Sequence, residues 1–309
     1  MELDSLSRYR NLSLFARQVV EGFITGRHRS PYHGFSAEFS DYRQYNPGES
    51  TRNIDYRLYG RTDRLYVKQF EEETNLRCQL VIDHSASMLF PTAQHGNPEK
   101  PNKLTFSAYA SAALIELLHR QRDAFGLTLV SSQIDSHTPA RSSSLHQKHL
   151  MALLDSLVQP PKDSPKQPSG TALAEPLHLI AEQIHRRSLV ALFTDALVRD
   201  SEQEPLLDAL RHLRHNKHEV ILFHTYHGPS ELELDYDARP HLFIDLESGR
   251  QLKLTPTEIA QTYRRHMHQT FALLQQRALQ YRIDYLPVDV SLGFHQVLQP
   301  FLLKRNKSK

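Results

Sequence analysis

Residues 78–88 read CQLVIDHSASM, and this stretch decides the fold. Its first six residues form a short apolar run, which is typical of a strand buried on both faces of a parallel sheet. Asp83, Ser85 and Ser87 then follow at alternate positions. Ligands of open α/β sheets bind beyond the carboxyl ends of the strands. We therefore expect Asp83 to lie at a binding edge of the sheet.

The alternation of apolar strands with helices continues towards the C-terminus. Further strands are predicted at 125–131, 188–194, 219–226 and 283–288. Helices are predicted at 103–120, 143–157, 171–186, 202–215, 263–280 and 292–303. This pattern predicts an α/β fold, with a doubly wound, mostly parallel sheet flanked by helices.

The N-terminal quarter of the chain has a different character. Residues 1–77 contain an amphipathic helix at 12–25 and then an arm rich in Arg and Tyr, predicted as short extended pieces and turns that form a small β-rich appendage. The arm is interpreted as an Arg/Asp/Glu/Tyr network that packs on the rest of the protein, or alternatively as a ligand-binding surface. Residues 78–305 form the predicted main domain. Alternating residues at about 231–254 predict an inserted β-hairpin.

Composition excludes several classes of function. The 37 basic and 35 acidic residues give a net charge of +2, so nothing indicates nucleic acid as a partner. The single cysteine, Cys78, excludes an internal disulfide framework and a cysteine-based zinc site, and it fits a reducing compartment. No apolar run approaches 18 residues, and the polar N-terminus does not resemble a signal peptide. We expect a cytoplasmic protein without membrane insertion.

Two more oxygen-bearing side chains fall where neighbouring loops would reach Asp83. Thr171 opens a predicted helix, and Asp195 ends a predicted strand. If the first and third apolar strands flank the switch point of the sheet, five side chains meet at one edge: Asp83, Ser85, Ser87, Thr171 and Asp195. Carboxylate and hydroxyl oxygens suit a hard cation, Mg²⁺ or Mn²⁺, better than zinc. These five residues are the predicted metal ligands.

This set of residues resembles the metal-ion-dependent adhesion site (MIDAS) of von Willebrand factor A (VWA) domains. The resemblance implies a doubly wound parallel sheet with one short antiparallel edge strand. It also implies a Mg²⁺ ion held partly through water, with an open coordination position that accepts an acidic side chain from a protein partner. A metal with few direct carboxylate ligands stays electrophilic, so such a partner completes its shell.

The arm carries a narrower resemblance. The stretches 26–30, 43–49 and 52–56 read GRHRS, RQYNPGE and RNIDY, and they are similar to the bacterial domain-of-unknown-function family 58 (DUF58). In that family such an arm precedes a VWA domain. Tyr56 stands where the family more often has Trp, and Glu49 where it often has Asp. The resemblance spans roughly residues 8–305, and it implies association with MoxR-type AAA+ ATPases in bacterial systems that assemble or activate other proteins.

The sequence lacks residues that several classes of enzyme require. A haloacid-dehalogenase phosphatase needs a second Asp where Ser85 stands. The nucleophile elbow of α/β-hydrolases, the P-loop and the dinucleotide-binding glycine motif do not occur in the sequence. The spaced residues His212, His215 and His218 are interpreted as a solvated helix face rather than a transition-metal site.

We therefore expect a non-enzymatic, metal-dependent protein-interaction module that acts as an adaptor for a MoxR-type ATPase. Two alternatives remain open. One is a Mg²⁺- or Mn²⁺-dependent hydrolase that uses the same site to activate water. The other is a scaffold whose metal site stays empty.

Overall fold

The computed structural model describes residues 12–26, 41–44, 56–69, 76–159, 173–197 and 200–307. The chain divides into two compact units, one made of residues 1–26 with 76–309 and the other of residues 27–75.

The helices in chain order are α1 (Leu12–Gly26), α2 (Tyr56–Thr62), α3 (Lys103–Arg120), α4 (Ser144–Val158), α5 (Ala174–Gln183), α6 (Asp200–His215), α7 (Pro256–Gln280) and α8 (His295–Lys307). The strands are β1 (Asp41–Gln44), β2 (Tyr66–Gln69), β3 (Arg77–Asp83), β4 (Ala124–Val130), β5 (Ile134–Arg141), β6 (Leu189–Thr194), β7 (Glu219–Tyr226), β8 (His241–Ile244), β9 (Gln251–Leu254) and β10 (Asp284–Asp289).

The larger unit is built on a central sheet. Within the described residues this sheet has six strands in the order β10–β7–β6–β3–β4–β5. Neighbouring strands are parallel, except that β5 runs antiparallel to β4. The prediction of a mixed α/β fold with a mostly parallel sheet and flanking helices is confirmed. Since β3 pairs with β4 on one side and with β6 on the other, the chain reverses its winding direction between β3 and β6.

Buried apolar side chains form one layer on each face of this sheet. On one face α1, α3, α4 and α8 contribute to a single core, and on the other α5, α6 and the end of α7 do so. Helix α1 is anchored by Phe15, whose ring meets Tyr109 of α3 edge-on at 4.6 Å and Phe294 at 5.2 Å. Thus the helix that the sequence analysis grouped with the arm packs in the core of the sheet unit.

Both border strands of the sheet contain a proline. Pro139 lies in β5, and Pro287 lies in β10. Proline has no N–H group for a second ladder partner, so sheets accept it at their edges. The pairing of β5 with β4 also shifts register twice.

Two smaller antiparallel pairs complete the description. In the unit of residues 27–75, β1 pairs with β2 from Asp41↔Gln69 to Gln44↔Tyr66, with α2 between them in the chain. This helix interrupts an arm that was expected to contain only extended pieces and turns, and the predicted turn at 46–48 lies outside the described residues. In the larger unit β8 pairs with β9, preceded by a π-helical turn at Gly228–Leu232. No helix in the described parts of the chain has the length and apolar character needed to cross a bilayer.

Candidate metal centre

Asp83 is the last residue of β3, and its carboxylate is fully buried. Its Oδ1 accepts a hydrogen bond of 2.9 Å from the backbone N–H of Ser85, and its Oδ2 accepts one of 2.7 Å from Oγ1 of Thr194. The chain then enters a short 3₁₀ turn, Ala86–Leu89, which brings the hydroxyl oxygens of Ser85 and Ser87 to 3.1 Å from each other. The predicted Asp-x-Ser-x-Ser stretch therefore folds into one compact polar turn.

Asp195 follows β6 directly and reaches the same edge of the sheet, because β6 is the neighbour of β3. It is 2% exposed. Its Oδ1 accepts a hydrogen bond of 3.1 Å from the N–H of Leu197. The strand order thus brings the two predicted carboxylates to one place.

Four of the five predicted metal ligands lie together: Asp83, Ser85, Ser87 and Asp195. Thr171 lies outside the described residues. In the described part of the chain, no group of three or more His, Cys, Asp or Glu side chains has a metal-binding arrangement. The candidate centre instead combines two carboxylates with two hydroxyls. This donor set matches the preference of a hard cation such as Mg²⁺ or Mn²⁺.

A buried lysine, which the sequence analysis did not predict, completes the charged cluster. Lys103 is the first residue of α3 and is fully buried. Its Nζ lies 2.7 Å from Oδ2 of Asp195 and 2.5 Å from Oε1 of Glu231 in the π-helical turn. A cation at a helix N-terminus opposes the helix dipole. That unusual position was the local signal that Lys103 has acidic partners.

The two carboxylates of the centre differ in their electrostatic surroundings. Burial, together with the nearby negative charge of Asp195, raises the pKa of Asp83 to about 7, even though Ser85 and Thr194 donate hydrogen bonds to it. Burial also acts to raise the pKa of Asp195, but the charge of the Lys103 ammonium, together with the hydrogen bonds from Lys103 and from the N–H of Leu197, lowers this pKa overall. Among the described residues, Asp83 is therefore the carboxylate of the two that has no cationic partner.

The formal charges of the cluster favour a divalent ion. Asp83, Asp195 and Glu231 face a single ammonium, so three negative charges meet one positive charge when all are ionised. Burying uncompensated charge is costly. A divalent cation beside Asp83 would balance the remaining two charges, so the residues present fit such an ion.

His224 of β7 supports the backbone of the centre. Its Nε2 lies 2.8 Å from the carbonyl oxygen of Asp195, and its Nδ1 lies 2.7 Å from Oη of Tyr285. Burial lowers the pKa of His224 to about 4, so the imidazole is neutral at physiological pH. Since a carbonyl oxygen only accepts, Nε2 carries the proton and Nδ1 accepts from the hydroxyl of Tyr285.

Of the three spaced histidines, His215 at the end of α6 is exposed, as expected for a solvated face, whereas His218 and His212 have protein partners. His218 is buried, and its Nδ1 accepts a hydrogen bond of 3.3 Å from the N–H of Ser188. His212 is partly exposed, with Nδ1 at 2.9 Å from Nδ1 of His178 and Nε2 at 2.9 Å from Oε1 of Glu182. These side chains therefore serve packing between helices and the neighbouring sheet.

An apolar groove of about 330 Å³ lies beside the charged cluster. Glu231 is part of its wall, and so is Phe90, the residue that follows the 3₁₀ turn. The pair β8–β9 adds Phe243 and Leu252, and α7 adds Tyr263, whose hydroxyl donates to the carbonyl oxygen of Glu231. The groove and the candidate centre thus share Glu231.

The chain matches the family model described as "Protein of unknown function DUF58". The match spans residues 41–276, which is more than half of the chain. The chain belongs to the DUF58 family. This DUF58 protein is also similar to uncharacterized proteins of Mycobacterium bovis and Mycobacterium tuberculosis. Each of these is 26% identical over 251 residues, covering 80% of this chain and 73% of the relative.

Solved structures with a similar chain path come from two Bacteroides species. The conserved hypothetical protein BatB of Bacteroides thetaiotaomicron has a TM-score of 0.49 at 14% identity, covering 75% of the DUF58 chain and 98% of its own. An aerotolerance-related membrane protein of Bacteroides fragilis has a TM-score of 0.45 at 16% identity, covering 72% and 97%.

Proposed function

We propose that this DUF58 protein is a non-enzymatic, metal-dependent protein-interaction module with a VWA-like fold. In this proposal Mg²⁺ or Mn²⁺ is held at a centre of the adhesion type by Asp83, Ser85, Ser87, Thr171 and Asp195. The ion presents an open coordination position to a carboxylate side chain of a protein partner. The strand order, with its switch point between β3 and β6 and its antiparallel border strand β5, supports the VWA-like part of the proposal.

The observation that carries the proposal is the buried, unbalanced carboxylate of Asp83 beside the hydroxyls of Ser85 and Ser87. Two hydroxyls and two carboxylates do not fill the shell of a hard cation, which takes six or more oxygens. The remaining positions fall to water, to Thr171 or to an incoming acidic side chain. An electrophilic ion at the edge of the sheet is suited to capture such a side chain.

The partner is proposed from the family resemblance. The resemblance to DUF58 implies association with MoxR-type AAA+ ATPases, and we propose that this chain acts as an adaptor for such an ATPase, in protein assembly or activation in the cytoplasm. The partner would supply an exposed Glu or Asp to the metal. Metal removal should then separate the two proteins, because the contact depends on the ion.

Co-purification of the tagged full-length protein with and without EDTA tests this proposal. We expect a protein partner that is retained with Mg²⁺ and lost with EDTA, and also lost with Asp83→Ala. The matched control is Asp208→Ala, which changes an exposed carboxylate of α6 and should retain the partner. Identification of the retained protein by mass spectrometry checks whether it is a MoxR-type ATPase. Full retention by Asp83→Ala, together with indifference to EDTA, would show that the metal mechanism is wrong.

A further inference from the structure

Lys103 is held in place by the segment that follows the serine turn. Its backbone N–H donates to the carbonyl oxygen of Phe90 at 3.1 Å, and the ring of Phe90 lies 5.9 Å from Nζ. The preceding residue, Asn102, accepts a hydrogen bond from the N–H of Thr105 and donates to the carbonyl oxygen of Leu89. The start of α3 and the metal-site turn therefore form one hydrogen-bonded piece, and the position of the ammonium is fixed relative to the candidate ligands.

The carboxylates that hold the ammonium are themselves fixed. Asp195 receives Lys103 on Oδ2 and the N–H of Leu197 on Oδ1. Glu231 receives Lys103 on Oε1 and the N–H of His227 on Oε2, the latter at 2.7 Å. Every carboxylate oxygen of this ion-paired group thus already has a donor. An ammonium with 0% exposure is stabilised because two anions surround it.

Asp83 differs in that its two donors are neutral, namely the N–H of Ser85 and the hydroxyl of Thr194. In the part of the chain that the structure describes, the centre therefore contains one carboxylate with a positive partner and one without. A divalent cation would interact strongly with Asp83, whereas Lys103 already compensates much of the negative charge of Asp195. The bound ion would therefore be neutralised less than it would be by two free carboxylates.

We propose that Lys103 is a positioning residue that serves as a resident counter-ion of the metal centre. It keeps Asp195 from acting as a full anionic ligand, so that the bound divalent cation retains positive charge for an incoming carboxylate. This inference rests on the proposed metal-dependent function. Lys103 thereby lowers the affinity for the metal and raises the affinity of the loaded centre for an acidic side chain.

The variant Lys103→Met tests this directly, because methionine has similar length and no charge. The added uncompensated negative charge should strengthen Mn²⁺ binding by about tenfold or more. The double variant Lys103→Met with Glu231→Gln keeps the net charge of the wild type while it frees Oδ2 of Asp195. It should also bind Mn²⁺ more tightly, which separates the release of Asp195 from a change in net charge. Replacement of both members of a buried ion pair is often tolerated, so this variant preserves the test if the single variant does not fold.

The probes are Mn²⁺ alone, measured by calorimetry, and acetate, measured by the broadening of its methyl proton signal by protein-bound Mn²⁺. At equal Mn²⁺ occupancy, acetate should be broadened by the wild type and less by Lys103→Met. The matched control is Lys148→Met, which removes an exposed lysine of α4 and should behave as the wild type in both measurements.

The outcomes separate this inference from the proposed function. Wild-type affinity for Mn²⁺ in both Lys103 variants, or weaker binding, overturns the role of Lys103 while leaving the metal site intact. If acetate is broadened neither by the wild type nor by the variants, the proposed binding of a carboxylate is wrong. The Mn²⁺ affinities then still decide whether Lys103 weakens metal binding. If the wild type binds no Mn²⁺, the proposed function fails. A site gained in Lys103→Met would then support the resident counter-ion, and no binding in that variant would overturn it too.

Discussion

Oγ1 of Thr194 donates a hydrogen bond of 2.7 Å to Oδ2 of Asp83, and this bond joins the ends of β6 and β3. The same oxygen accepts from the N–H of Ala196 at 3.0 Å, and Thr194 is fully buried. The carboxylate of Asp83 is therefore oriented both by Thr194 of the neighbouring strand β6 and by the N–H of Ser85 in its own turn.

Thr194→Val should both destabilise the protein and disturb the metal centre. Valine has the shape of threonine without the hydroxyl, so Asp83 loses a donor, and the expected loss of unfolding free energy is about 1–3 kcal/mol. Mn²⁺ binding should weaken because the carboxylate is no longer oriented. Urea denaturation and calorimetry measure the two effects. Thr194→Ser keeps the donor and should stay closer to the wild type in both, and an unchanged Thr194→Val would contradict this role.

Acidification should destabilise the fold through His224. Its pKa is about 4 in the folded state and about 6.5 in the unfolded chain, so the unfolded state binds more protons between these values. Stability contributed by the neutral imidazole is present above pH 6.5 and is lost as the pH falls towards 4. On this basis the loss from about pH 6.5 to 5 is on the order of 2 kcal/mol. Asp83, whose pKa is raised to about 7, contributes with the opposite sign over this range, so the contribution of His224 is measured as the difference between the denaturation curves of the wild type and of a variant without this histidine.

The comparison variant for that prediction is His224→Gln, which does not titrate and retains a side-chain donor. Its stability should depend less on pH over the same window. The remaining dependence would come from Asp83, whose raised pKa acts in the opposite direction because its folded state binds more protons in this window, and from other histidines whose pKa is lowered first by burial: His137, His146, His218 and His227. Identical pH profiles for the variant and the wild type would show that His224 does not contribute.

Gly228 is required by close approach of a side chain. A Cβ atom at this position would lie 2.1 Å from Oδ2 of Asp289, whose Oδ1 accepts a hydrogen bond of 3.1 Å from the N–H of Gly228. Gly228→Ala should therefore displace Asp289 and lower stability by about 1–3 kcal/mol, as overpacking does. Differential scanning calorimetry would show the lower melting temperature.

The control for Gly228 is a glycine with free space around it. A Cβ atom at Gly22 of α1 meets nothing within 4 Å, so Gly22→Ala should stabilise the helix by up to about 1 kcal/mol. Opposite signs for the two substitutions would assign the effect to Asp289. A stable Gly228→Ala variant would mean that the π-helical turn can move away.

Phe15 tests whether α1 is part of the sheet unit. It is 1% exposed and contacts Tyr109 and Phe294, so Phe15→Ala should cost about 3–5 kcal/mol of unfolding free energy. Leu14, the adjacent residue, is 40% exposed, and Leu14→Ala should cost much less. Equal effects in urea denaturation would contradict the packing of α1 in this core.

The strands and helices with strong hydrophobic periodicity were predictable. Strand β6 is buried throughout and strand β3 from its second residue on, because helices cover both faces of the sheet, and such mostly apolar runs have a clear sequence signature. Strand β5 was missed because it is a half-exposed border strand with a proline and mixed polarity. Helix α7 begins at Pro256, seven residues before the predicted start, since its first turns lack an apolar repeat; the proline at its first position was the available signal.

Sequence reasoning brought Asp83 and Asp195 together because both residues end apolar strands, and strand ends of a parallel sheet share one edge. It missed the contacts that depend on tertiary packing. Lys103 and Glu231 are separated by 128 positions along the chain. The lysine at a helix start signals an acidic partner, but no local pattern identifies Glu231 as that partner. Thr194 was placed in a strand without a role because its hydroxyl acts on a residue 111 positions away.

The prolines of the two border strands limit self-association of the protein at high concentration. An unprotected strand at the rim of a sheet can recruit the same strand of another molecule and start fibril growth. Pro139 and Pro287 each remove one donor from the rims that such growth would use. Replacing these prolines, for instance by valine, would restore the missing N–H donors and should favour self-association through the backbone at high concentration.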